Sequence, residues 1–339
     1  MDGERETAAA PLEPAASGAD SVRAAAEEAA RGLSERMRSD FAVVVPAFNE
    51  APVIADCVRE LRAAFERWGL AGEVVVVDDG SDDGTADLAR AAGEGWGALR
   101  VMSHRRNLGK TEALLTAARA TERAYLVLFD ADLQHSPDEI PRFLARLQEG
   151  WDIVTGRKVG AYDKRAVSSV YNALSRRIFR VPVSDLNSMK AFRREILDEI
   201  HLRHDWHRFF VVLAHARGFT VSELDIVLHP RRAGESKFSG PFRIVVGLMD
   251  LISVWFLLLF SRKPLMLFGF TGVTLIGLGL VVGAVAFYLR FVLEMGFRPL
   301  LYLVVLLETL GFLLVGFGLV AEMIAQLRDE VDDLRRRLR

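Results

Sequence analysis

Between residues 41 and 157, short valine-rich apolar runs alternate with amphipathic stretches. "FAVVVPAF", "EVVVVDD", "LRVMSH", "AYLVLFDAD" and "DIVTGR" read as strands. The segments 51–68, 84–92, 110–122 and 137–149 carry the three-and-four spacing of helices and separate those runs. This order predicts an α/β domain with a mostly parallel sheet and helices on both faces. Ligands of such sheets sit beyond the carboxyl ends of the strands. Polar residues collect there: Asn49 and Glu50 after the first run, Asp78 and Asp79 after the second, Asp130 and Asp132 after the fourth.

Beyond residue 167, "SSVYNALSRRIF", "DLNSMKAFRREIL" and the stretch from "HRFFVVL" to "GESKF" look like helices and a strand that complete the domain. Residues 241–260 are apolar but include Arg243 and Asp250, as helices lying at a membrane surface would. Residues 265–289 carry no charge, and 300–321 carry Glu308 alone. A helix of the first run's length reaches about 37 Å, enough to cross a hydrocarbon core of about 30 Å. Arg262 and Lys263 precede the two spans, and Arg328, Arg335, Arg336, Arg337 and Arg339 follow them. That bias places both termini in the cytoplasm. Glu308 falls near the middle of the bilayer and should face protein, in the first span or a neighbouring copy, with Thr271 and Thr274 as the hydroxyls on offer.

Five segments result: an extension (1–38) with a disordered or polar helical character, an α/β domain (39–240), interface helices (241–263), a two-helix anchor (264–322) and a cytoplasmic amphipathic helix (323–339). In the last, Ile324, Leu327, Val331, Leu334 and Leu338 recur at three-and-four spacing. That stripe suits either a short coiled coil in a homo-oligomer or packing against the chain's own domain.

Composition narrows the function. The 339 residues are 51% hydrophobic and 26% charged, with a net charge of −2, which gives no bulk attraction to nucleic acid. One cysteine, Cys57, excludes an internal disulfide and reads as an apolar filler. The N-terminus lacks a basic start followed by an apolar core, so no signal peptide is expected. The first strand-to-helix turn, "PAFNEAPV", has no glycine, so it is no dinucleotide fingerprint; P-loop, H-E-x-x-H and paired C-x-x-C patterns are absent as well.

The acidic pair in "FDADLQHSP" carries the chemistry. Asp130 and Asp132 close a strand read as buried on both faces, where two charges require a positive partner. Magnesium is typically held by one or two carboxylates plus substrate phosphates. On an extended segment Asp130, Asp132 and Gln134 would share a face and fit such an ion. The plainer reading of acidic residues at strand ends is helix capping, and Ser136-Pro137 has the form of a cap.

The series "VVVPAFNE", "VVVDDGSDDGT", "NLGK", "FDADLQHSP" and "GESKF" resembles the inverting family 2 glycosyltransferases of GT-A fold. Within these it is similar to the polyprenyl-phosphate branch, which includes dolichol-phosphate mannose synthases and bacterial polyprenyl-phosphate glucosyltransferases. The likeness runs from residue 41 to about 260, and two spans follow as in the bacterial membrane-anchored members.

The resemblance implies a donor site in which Pro46, Phe48 and Glu50 line the nucleoside and Asp78 and Asp79 meet base and ribose. It implies that Asp130, Ala131, Asp132 and Gln134 hold Mg²⁺ or Mn²⁺ and the diphosphate. Arg231 matches the arginine of a loop that closes on the donor, in a motif ending at Ser236 and Lys237. Arg157, with Lys164, Arg165 and Ser168, matches the part that grips an acceptor phosphate. The chain reads "NSMKAF" where the family often has an S-G-F-R or C-G-L-K type stretch, and the segment 157–164 is short, leaving Lys164 and Arg165 as alternatives. Q-x-x-R-W of processive synthases is absent, which points to one sugar per turnover. The expected partners are a nucleotide sugar (UDP-hexose or GDP-mannose), a polyprenyl phosphate and a membrane. Glycosylation of a hydroxyl, which would need a general base, and a non-catalytic nucleotide-binding scaffold are the alternatives.

Overall fold

In a computed structural model the chain divides into two compact units, Met1–Ser239 and Gly240–Arg339. The structure describes residues 16–159, 183, 185–186, 188–200, 202, 206–230, 249, 253–254, 256, 264–296 and 298–337.

Among the described residues the first unit is built on a seven-stranded sheet. Its strands are β1 (Phe41–Ala47), β2 (Glu73–Asp78), β3 (Leu99–Ser103), β4 (Tyr125–Leu128), β5 (Ile153–Val159), β6 (Lys190–Arg193) and β7 (Val221–Val227), in the order β3-β2-β1-β4-β6-β5-β7. The helices before β5 are α1 (Ala16–Gly32), α2 (Glu35–Ser39), α3 (Ala51–Trp68), α4 (Thr85–Ala92), α5 (Lys110–Ala120) and α6 (Ile140–Gln148); α7 (Ile196–Glu199) and α8 (Phe210–Ala216) lie between β6 and β7. The mostly parallel α/β sheet expected from the valine runs is present. Val43, Val45, Val74, Val76 and Val127 are wholly buried in one core with Ile54, Leu61 and Phe143 from the helices.

Local signals set the helix ends. Pro52 opens α3, where its missing N–H costs nothing. Gly69 closes it in the left-handed region, donating its N–H to Phe65 O.

Two features depart from the sequence reading. The segment "KAFR" is not helical: β6 pairs antiparallel with both β4 and β5 and is the strand that breaks the parallel order. Four residues between turns are too few to show a period. The N-terminal extension is also more than a polar helix. Val22, Ala26 and Ala30 of α1, with Leu33 and Met37 after it, are buried along one face, and α1 packs on α6. Small alanines make up much of that stripe, which hides it in the sequence.

The described residues of the second unit from 264 onward form a helical hairpin. Its arms are α9 (Pro264–Phe291) and α10 (Arg298–Arg337), each long and apolar enough to cross a membrane. Glycines bring the arms together. A Cβ on Gly272 would stand 2.7 Å from the Gly311 carbonyl, and one on Gly279 would stand 2.7 Å from Glu308 Oε1. Glu308 therefore faces the first arm, as expected. Thr271 and Thr274 do not serve it: their hydroxyls donate to Leu267 O (2.8 Å) and Phe270 O (2.7 Å) one turn back. Farther along α10, Ile324, Leu327, Val331 and Leu334 are exposed. The expected interface helices at 241–263 fall almost wholly outside the described residues.

Candidate active site

The parallel register aligns the carboxyl ends of β1, β2 and β4. Ala47 pairs with Asp78, and Val44 pairs with Leu128. The Phe129 N–H donates to Val44 O (2.9 Å), the last bond of that pairing, and Asp130 follows it where the strand ends. Pro46, Phe48 and Glu50 are half-buried on this edge.

The turns after β1 and β2 are tied to each other. Asn49 takes a positive φ of 52°. Its N–H donates to Ser81 Oγ (2.8 Å), and its Oδ1 accepts from the Asp82 N–H (3.2 Å). The Glu50 N–H donates to Thr85 Oγ1 (2.9 Å) and the Ala51 N–H to Asp83 Oδ2 (3.0 Å). "FNE" and "DDGSDDGT" thus form one rigid rim, not two independent loops.

Asp78 and Asp79 differ in what surrounds them. Asp78 is buried and accepts the Ser81 N–H (3.2 Å). The Asp79 carboxylate receives the N–H groups of Leu108 (2.8 Å) and Gly109 (2.7 Å) and lies 2.7 Å from His104 Nδ1. It fixes the "NLGK" turn at the start of α5.

That turn supplies the cation the acidic pair required. Lys110 Nζ donates to Asp130 Oδ1. Burial disfavours the charged carboxylate, yet the contact with Lys110 outweighs it and holds Asp130 well below the usual carboxylate range. Asp132 is buried and accepts the Gln134 N–H (3.2 Å). The segment is turned, not extended, with Leu133 at a φ of 53°. Strand alternation therefore does not describe how Asp130, Asp132 and Gln134 are presented. The capping reading holds for Ser136, whose Oγ accepts the Asp138 N–H (3.2 Å).

Several basic groups lie within electrostatic reach of Asp130 that sequence reading did not single out. Lys190, on β6, is buried between Leu128 and Thr155 of the neighbouring strands and donates to Leu186 O (3.1 Å). Burial and the nearby Lys110 push its ammonium down to about 8, against the pull of Asp130 and Asp185. Lys158 Nζ lies 3.3 Å from Asp185 Oδ2. His135 is buried, and burial pushes its imidazole down to about 4, so it is neutral at pH 7. In "NSMKAF" the lysine stands inside an apolar run too short to show that it is buried.

Arg157 lies on β5 beside Asp225 of β7. The contact is bidentate, with Nε to Oδ1 at 2.5 Å and Nη2 to Oδ2 at 2.8 Å, and both side chains are about half exposed. Glu223 Oε1 accepts the Asp185 N–H (3.4 Å). Lys164, Arg165, Ser168, Arg231, Ser236 and Lys237 lie outside the described residues.

The donor set fits a hard divalent cation that brings other ligands with it. Two carboxylates and an amide offer oxygen, and no cluster of three or more His, Cys, Asp or Glu side chains suited to a metal occurs among the described residues. An ion held by so few protein oxygens must complete its shell with phosphate and water.

Residues 42–212 match the family described as "Glycosyl transferase family 2". The dodecaprenyl-phosphate galacturonate synthase of Rhizobium johnstonii is 31% identical over 316 residues, covering 88% of this chain and 92% of that one. The undecaprenyl-phosphate 4-deoxy-4-formamido-L-arabinose transferase of Klebsiella pneumoniae is 29% identical, covering 85% and 89%. Among solved structures, glucosyl-3-phosphoglycerate synthase from Mycobacterium tuberculosis, in complex with Mn²⁺, UDP and phosphoglyceric acid, superposes with a TM-score of 0.53 at 21% identity. It covers 68% of this chain and 82% of that one, a likeness of fold. With its GT-A-like α/β domain and a match over half its length, the chain belongs to glycosyl transferase family 2.

Proposed function

We propose that the protein transfers one sugar from a nucleotide-sugar donor to the phosphate of a polyprenyl phosphate, with inversion. The observation that carries this reading is the acidic turn after β4, set at the same sheet edge as the rim built by the β1 and β2 turns. The relatives named for polyprenyl-phosphate substrates support the acceptor class.

Asp130, Asp132 and Gln134 would hold Mg²⁺ or Mn²⁺, which when bound neutralises the diphosphate leaving group. Pro46, Phe48 and Glu50 line the nucleoside cleft, and the Asp78 carboxylate lies beside them. The acceptor phosphate oxygen attacks the anomeric carbon as the bond from that carbon to the diphosphate breaks. A phosphate monoester has a second pKa near 6, so it arrives mostly dianionic and needs no general base. Cationic docking does need side chains, and Arg157 with Lys164 or Arg165 and Ser168 takes that role. Arg231 and Lys237 are assigned to the donor.

In the proposed topology, α9 and α10 cross the membrane and both termini lie in the cytoplasm. The proposed segments are the extension 1–38, catalytic domain 39–240, interface helices 241–263, anchor 264–322 and an amphipathic C-terminal helix, 323–339, which together with the spans offers a surface for a homo-oligomer or for packing on the chain's own domain.

The test is transfer of labelled sugar from a panel of UDP-hexoses and GDP-mannose to undecaprenyl phosphate, with undecaprenol beside it. The expected result is product with the phosphate only, lost in excess chelator. Product with undecaprenol would favour hydroxyl glycosylation, and full activity in chelator would remove the metal.

A further inference from the structure

We propose that Lys110 makes metal binding and donor binding depend on each other, by holding Asp130 until an incoming diphosphate draws its ammonium away. This rests on the reading of the site as a metal-dependent nucleotide-sugar site. It adds a role for a residue outside the acidic motif.

Three observations support it. First, the backbone that carries Lys110 is fixed. Gly109, at a φ of 91°, donates its N–H to Asp79 Oδ2 (2.7 Å), and Leu108 donates to Oδ1 (2.8 Å). The side chain, by contrast, is 27% exposed and the Asp130 side chain 36% exposed, so this pair opens to the ligand side.

Second, Lys110 has little reason to be there other than Asp130. It is the first residue of α5, where the helix dipole disfavours a cation. The buried Lys190 ammonium repels it as well. A cation on Asp130 would leave Lys110 facing a like charge within a few ångströms, which is strongly unfavourable unless the ammonium finds another anion.

Third, Lys110 is not the only ammonium near Asp130. Lys190 is buried and donates to Leu186 O (3.1 Å), and Lys158 Nζ lies 3.3 Å from Asp185 Oδ2. A divalent cation adds two positive charges beside these ammonium groups. A nucleotide-sugar diphosphate brings two negative charges that offset them. Metal without donor is therefore disfavoured, and Lys110, nearest the shared carboxylate, is the group that must change partner.

The experiment is Mn²⁺ titration of the full-length protein in detergent, read from the paramagnetic resonance of free Mn²⁺, with and without UDP. In the wild type, UDP should tighten Mn²⁺ binding by about tenfold or more. In Lys110→Met, Mn²⁺ alone should bind about tenfold more tightly, and the gain from UDP should fall towards unity. Lys110→Arg, which keeps the charge, should behave as the wild type. Should the Met variant fail to fold, Lys110→Gln gives the same reading. An unchanged or weakened affinity for Mn²⁺ alone in the neutral variant overturns the coupling while the metal site stands. Absence of Mn²⁺ binding in the wild type, with UDP present, overturns the metal site and the coupling together.

Discussion

Asp79 and Gly109 are joined by a 2.7 Å hydrogen bond from the Gly109 N–H to Oδ2, which links the second strand's end to the first turn of α5. With Leu108 and His104 on the other oxygen, this carboxylate is occupied by the protein's own donors. Asp79→Ala removes the acceptor of two backbone N–H groups in a half-buried turn, at a cost of up to about 1–3 kcal/mol each. A fall in melting temperature should accompany any loss of nucleotide binding. Asp78→Asn, at a residue with a single backbone contact, should weaken nucleotide binding with little change in melting. Equal melting of both variants would assign Asp79 to the ligand and not to the turn.

Arg157 is paired with Asp225, so an acceptor phosphate must compete with a carboxylate for the guanidinium. Arg157→Ala should raise the KM for polyprenyl phosphate roughly tenfold to a hundredfold while leaving UDP affinity unchanged. Asp225→Asn should leave that KM equal or lower. Neither change should move the melting temperature much, because ion pairs this exposed contribute little. A higher KM in Asp225→Asn would mean that the pair acts as a unit.

The Lys190 ammonium is held down to about 8, below the ordinary lysine value of about 10.4. Between these two values the unfolded chain binds a proton that the folded chain has released. Stability from this residue therefore rises as pH rises through that window. Comparing melting of the wild type and Lys190→Met from pH 7 to 10.5 isolates the effect. The wild type should gain on the variant as pH increases, and parallel curves would place the ammonium in water.

In the hairpin, Gly272 and Gly277 differ only in what faces them. A Cβ on Gly272 meets the Gly311 carbonyl at 2.7 Å and Val315 N at 3.0 Å, whereas one on Gly277 meets nothing within 4 Å. Gly272→Ala should lower the melting temperature in detergent, and Gly277→Ala should not. Glu308→Gln should be neutral, because an amide presents the same shape to Gly279. Equal tolerance of both glycine substitutions would mean that the arms do not pack this closely.

Much of the domain could be read directly from the chain. Valine runs marked β1, β2 and β4, and three-and-four spacing marked α3 at its observed bounds, because these are local effects of burial. The site was legible where charge stands against an apolar background, at Asp130 and Asp132. Their partner was not, since Lys110 stands 20 positions away and is brought there by Asp79, whose own role is visible only in the hydrogen bonds it accepts. Lys190 escaped for a different reason. A lysine in a short apolar segment looks like surface, and only the antiparallel insertion of β6 between β4 and β5 buries it.

The 40-residue α10 continues past its apolar stretch, Arg298–Leu327, with neither glycine nor proline after Gly318. Ten further residues extend it by about 15 Å. Set across a bilayer, it would be a lever with no joint where the lipid ends. A tilt of about 20°, ordinary for a membrane helix, would carry its tip sideways by about 5 Å. A thinner bilayer, to which a long span can adjust by tilting, would then be felt at Arg337 as a displacement.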